Sequence, residues 1–152
     1  MPYGNRMDMG DLERAVDDVV AALWATDPMD HLIVRQGWPG ASCENVSAAI
    51  AVVLEDRGLG TWTYVQASRP GERNSHAWLE WEDSNGAPLL SIDRTLEQFP
   101  EWREPFIGRG ASPAASVFTD VLWRGCVWDL DWIHLDIGHK LINSVRDQLS
   151  LL

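Results

Sequence analysis

Hydrophobic and polar positions along the chain follow two rhythms. Leu12, Ala15, Val16, Val19 and Leu23 recur at three-and-four spacing, which predicts an amphipathic packing helix over 11–25 closed by Pro28. Val46, Ile50, Val53 and Leu54 repeat that spacing and predict a second helix from Cys43 to Arg57, with Ser42 as N-cap and Gly58 as the stop. Leu141, Ile142, Val145 and Leu149 predict a third over 136–151. Between the second and third helices the period drops to two. Thr61–Ser68 is rich in aromatic and β-branched residues, and Ser75–Glu82 alternates with His76, Trp78 and Glu80 on one face and Ala77, Leu79 and Trp81 on the other. Asn85-Gly86 then predicts a hairpin whose second strand is Leu89–Thr95. Val117–Trp128 reads as a further strand. The first ten residues read as a loose lead-in, and 96–113 as an irregular segment pinned by Phe99, Trp102 and Phe106.

The totals narrow the picture. A chain of 152 residues, 45% apolar and free of internal repeats, fits one domain over 1–152. Its net charge of −11, with 12 basic residues scattered among 23 acidic ones, argues against a nucleic-acid partner. Nothing resembles a charged leader with an apolar h-region, and no apolar run approaches membrane-spanning length, so the expected setting is cytoplasmic, without a membrane partner. Two cysteines, Cys43 and Cys126, allow at most one bridge and build no disulfide framework.

Chemistry enters at the start of the second helix. Two glycines and a proline in Gln36-Gly37-Trp38-Pro39-Gly40-Ala41-Ser42-Cys43 break regular structure and deliver a thiol to the first helical position. There the helix dipole and unpaired N–H groups favour the thiolate, the form that attacks carbonyls. The hairpin supplies a base. If Asn85-Gly86 are the central turn residues, Trp78 lies opposite Asp93 and His76 opposite Thr95, so His76 and Asp93 are diagonal neighbours on one face. Cys43 as nucleophile, His76 as proton carrier and Asp93 as the group that orients the imidazole form a coherent acyl-transfer set. The Cys43 N–H is one oxyanion donor, with the Gln36 amide and then the Trp38 indole as candidates for a second. Trp38 and Trp78 are candidate walls of a substrate groove.

These residues resemble a known family. A cysteine at a helix start, a strand reading His76-Ala77-Trp78-Leu79-Glu80, and Ser91-Ile92-Asp93-Arg94-Thr95 look like the transglutaminase-like core of the papain-like superfamily, over about 36–99. Gln36 upstream of Cys43 is similar to the oxyanion glutamine of papain-type peptidases, one residue further away. Glu44 departs from the tryptophan usual after the papain-type cysteine, and Arg94 stands where proline or a small residue is frequent. The resemblance implies an α+β fold, with the cysteine-bearing helix packed on an antiparallel sheet that carries His and Asp. It implies a cysteine peptidase or amidase working through a thioester without cofactor. The alternatives are an acyltransferase that passes the thioester to an amine, and an inert papain-like binding module. The substrate would be a peptide, protein or small amide.

Taken singly, each residue reads more plainly. A free cysteine is among the most buried residue types, and a strand histidine is ordinarily half-buried and satisfied. Glu80 reads as a solvated or sheet-pairing residue, and Cys126, among Trp123, Val127 and Trp128, as core. Asp129, Asp131, His134, Asp136 and His139 include ligand types but match no standard metal spacing, so no metal is assigned. His31 follows Asp30 in a loop and joins no constellation.

Overall fold

A computed structural model describes residues 7–26 and 42–151. Three helices, α1 (Met9–Ala25), α2 (Cys43–Asp56) and α3 (Asp136–Leu149), accompany a five-stranded antiparallel sheet. Its strands are β1 (Thr63–Ser68), β2 (Ser75–Glu82), β3 (Pro88–Asp93), β4 (Phe106–Arg109) and β5 (Asp120–Cys126), in the order β4-β3-β2-β1-β5. The fold is therefore α+β.

Each helix follows its apolar stripe. α1 starts two residues earlier than the periodicity predicts, because the Asp8 carboxylate caps it by accepting from the Gly10 N–H at 2.8 Å. α2 ends as expected. Gly58, at φ 71°, donates to Glu55 O and Leu59 donates to Leu54 O, so two otherwise orphaned carbonyls of the last turn are satisfied. Ser42 occupies the N-cap position of α2 but its side chain does not cap; the residue is buried, and its carbonyl takes the Val46 N–H at 2.9 Å.

The sheet separates two cores. α2 packs on β2 and β1, with α1 and α3 against it, and Val16, Leu23, Ile50, Leu54, Tyr64, Ala77, Leu79 and Ile92 fill the space between. Fully burying a side chain of the Val, Leu or Ile class contributes about 1.5–3 kcal/mol, so this layer carries most of the cohesion. The opposite face holds a smaller cluster of Val65, Ala67, Trp78, Leu96, Ala114 and Phe118. Because β2 is the middle strand, its residues from His76 to Glu80 are buried on both faces.

The hairpin departs from expectation in its turn while keeping its register. Asp83, not the Asn85-Gly86 pair, closes the loop: its N–H donates to Ala87 O, its carbonyl takes the Gly86 N–H, and its carboxylate takes the N–H groups of Asn85 and Ala87. A bulge at Leu89 then restores the predicted pairing, with Leu79 opposite Ile92 and Glu80 opposite Ser91. β3 ends at Asp93, so Thr95 is not paired with His76 and belongs instead to the turn before a short 3-10 helix at Leu96–Gln98. The segment 96–113 is more regular than its prolines and glycines suggest, since β4 pairs along β3. Phe99, Trp102 and Phe106 do anchor it, packing against the smaller cluster. The expected strand over 117–128 is shorter, β5 covering Asp120–Cys126 and giving way to a 3-10 turn at Val127–Asp129, and a separate 3-10 turn at Pro113–Ser116 precedes it.

Candidate functional site

β2 places His76 at its second residue, and β3 places Asp93 at its last, on the face away from the helices. Both side chains are fully buried, and His76 Nε2 meets Asp93 Oδ1 at 2.7 Å. The second carboxylate oxygen is also engaged. Ser112 donates its hydroxyl to Asp93 Oδ2 at 2.6 Å while accepting from the Ala114 N–H at 3.1 Å as N-cap of the following 3-10 turn. The imidazole therefore faces a carboxylate fixed on both sides.

Aromatic rings surround the histidine. Phe99 meets it edge-on with centroids 4.9 Å apart, and Phe118 and Trp78 lie tilted at 5.5 and 5.7 Å. Arg69, ion-paired to Glu101 at 2.6 Å, spreads its guanidinium over Phe118 and Phe99 and closes the outside of this box. Trp78 is 2% exposed and donates its indole N–H to Glu80 Oε2 at 3.0 Å. It lies against the imidazole from within the sheet face.

The second imidazole nitrogen points to the remaining polar groups. The Gln98 amide lies 3.2 Å from Nδ1 and also reaches Thr95 Oγ1 at 3.3 Å. Because an amide offers a donor on one side and an acceptor on the other, Gln98 can hold Nδ1 in either protonation state. Burial alone would lower the His76 pKa. That effect is outweighed by hydrogen bonds to Asp93 and Cys43 and by the charges of both, which together push it up to about 9.

Cys43 stands at the first position of α2, buried at 7% exposure. The helix start is tied to this end of the sheet at two points: Ser47 donates its hydroxyl to Ala77 O at 3.2 Å, and Gln66 on β1 donates to Glu44 Oε1 at 2.9 Å and to Ser75 Oγ at 2.8 Å. Cys43 and Cys126 are both free, the second half-buried at the end of β5. Gln36 and Trp38, the expected oxyanion donors, lie outside the described residues. Glu80 pairs with Arg124 across the sheet, which also holds Glu82 at 2.7 Å, so its sheet-pairing reading applies. His134 Nε2 bonds Trp128 O at 2.6 Å, and among the described residues no three ligand-type side chains converge as a metal site would require.

Ser112, Gln98 and Phe118 complete this environment without having been singled out in the sequence, and Phe99, read there only as an anchor of 96–113, joins them against the imidazole. Ser112-Pro113 does carry a local signal, a capping serine before a first-turn proline. Its bond to Asp93, across 19 residues and the whole of β4, has none. No protein-family model matches the chain, and no curated protein or solved structure matches it significantly.

Proposed function

We propose that the chain is a thiol-dependent acyl-transfer enzyme, most closely a cysteine peptidase or amidase of the transglutaminase-like, papain-like kind. The observation that carries this reading is the buried, doubly anchored His76–Asp93 pair, whose imidazole is held toward its charged form next to a thiol at a helix start.

Chemistry follows from those charges. Cys43 as thiolate attacks the acyl carbon, forming a C–S bond, and its own N–H at the open helix end donates to the developing oxyanion. His76, protonated, gives its Nδ1 proton to the departing amine as the C–N bond breaks, while Asp93 keeps the Nε2 proton and the ring orientation. Water then attacks the thioester, its proton passes to His76, and the carboxylic acid leaves with the thiolate restored. The aromatic box keeps bulk water away from the imidazole, which strengthens its interaction with Asp93. Two unbridged cysteines fit a cytoplasmic setting, and among the described residues no helix is long and apolar enough to cross a membrane.

An activated ester such as p-nitrophenyl acetate tests the reaction type. The expected result is an acetyl group on Cys43, seen by peptide mapping, that forms in a burst, turns over, and is lost in Cys43→Ser. Acetylation confined to the single lysine, Lys140, or to the terminal amine would overturn the reading.

A further inference from the structure

One short connection grips both nitrogens of the His76 ring. Asp93, the last residue of β3, holds Nε2 at 2.7 Å, and Gln98, at the end of the 3-10 helix that follows, brings its amide nitrogen to 3.2 Å from Nδ1. Gln98 is itself braced. Its backbone N–H donates to Thr95 O at 3.0 Å, and its side-chain amide donates to Thr95 Oγ1 at 3.3 Å, on a threonine that is 1% exposed. Phe99, the next residue, sets its ring edge-on to the imidazole.

The proton balance of acyl transfer gives this second grip a stage at which to act. Cys43 is a hydrogen-bond partner of His76 only while its sulfur is a thiol or thiolate. Once acylated, the sulfur is a neutral thioester, and His76 has given its Nδ1 proton to the departing amine. Nδ1 is then a bare lone pair inside an aromatic box, where an acceptor without a donor costs free energy. The Gln98 amide is an uncharged donor already in reach of it.

We propose that Gln98 is a positioning residue of the thioester stage: its amide donates to Nδ1 of the neutral imidazole and keeps that nitrogen aimed at the thioester until water arrives. The proposal rests on the acyl-transfer reading and deepens it. Water attack then forms the C–O bond, the proton of the water passes to Nδ1 as the amide yields its place, and the C–S bond breaks to restore the thiolate.

Two readouts test it. p-Nitrophenolate leaves without a proton, so with p-nitrophenyl acetate the burst reads attack by sulfur and the steady rate reads attack by water. Gln98→Met keeps the length of the side chain and removes the donor. It is expected to lower the steady rate about tenfold more than the burst rate, the change expected of one hydrogen bond. The second readout needs no turnover. Cys43→Ala removes the sulfur as a partner, and the 15N resonance of His76 Nδ1 is followed at a pH where the imidazole is neutral. The chain has four histidines, and His76→Gln assigns the resonance. In the Cys43→Ala background, Gln98→Met is expected to move it downfield, to the position of a free lone pair. Gln98→Glu, of the same shape but without a donor, is expected to do the same, whereas a residue that only fills space would leave it unmoved. A resonance that stays in place in both variants, or a steady rate that falls no more than the burst rate, overturns the proposal, while acetyl-Cys43 in the parent keeps the acyl-transfer reading. Absence of acetyl-Cys43 in the parent overturns both.

Discussion

Ser112 and His76 hold the two oxygens of one buried carboxylate, at 2.6 Å from Asp93 Oδ2 and 2.7 Å from Asp93 Oδ1. The serine thus belongs functionally to the histidine's environment although it arrives from another turn of the chain. Ser112→Ala removes a donor from a fully buried oxygen and is expected to cost about 1–3 kcal/mol. Urea unfolding of the two proteins measures this. A change under about half a kcal/mol would mean that Oδ2 finds another donor.

Asp93→Asn keeps the shape of the pair and removes its charge. Without the carboxylate the His76 pKa loses its largest raising influence, and the imidazole loses the group that fixes Nε2–H. Acylation of Cys43 by p-nitrophenyl acetate is expected to slow by roughly two to four orders of magnitude, with the fold retained by circular dichroism. A rate within threefold of the parent would show that Asp93 is only structural.

The raised His76 pKa links stability to pH. The folded value of about 9 lies above the ordinary 6.5, so the fold favours the imidazolium. The resulting stabilisation is full below pH 6.5 and is lost as pH rises through 9. Its size, set by the shift, is on the order of 3 kcal/mol. The stability difference between the parent and His76→Gln is expected to shrink across that window, and a difference that stays flat from pH 6 to 10 would contradict the assignment. Turnover should fall over the same alkaline range as the acid that protonates the leaving amine is lost.

Gly60 tests the link between α2 and β1. Its φ is 97°, and a Cβ there would fall 2.3 Å from the Trp81 ring. Trp81 in turn packs on Trp62 with centroids 5.7 Å apart. Gly60→Ala combines strain with a clash and is expected to destabilise by about 2–4 kcal/mol in urea unfolding, without affecting Cys43 chemistry directly.

Periodicity made the helices and the central hairpin legible, since Leu12–Leu23, Val46–Leu54 and the His76–Glu80 alternation each bury the face they advertise. The register survived a misplaced turn because the residue gained at Asp83–Ala87 is returned by the bulge at Leu89. β4 was hidden by its flanking Pro105 and Gly110 and by Gly108 within it, whose composition signals a loop while the backbone still pairs with β3. The His76–Asp93 pairing was readable from strand register alone. Ser112, Gln98 and Phe118 reach it through tertiary packing, for which no spacing rule exists.

The most direct measurement of the central claim is competitive alkylation of the native protein by iodoacetamide near pH 6, with each cysteine quantified separately. Exposure alone favours the half-buried Cys126 over Cys43 at 7%. The account predicts the reverse order, with Cys43 reacting at least tenfold faster and the advantage disappearing in His76→Ala. Slow labelling of both cysteines at similar rates, unaffected by His76→Ala, would contradict it and leave an inert module in place of an enzyme.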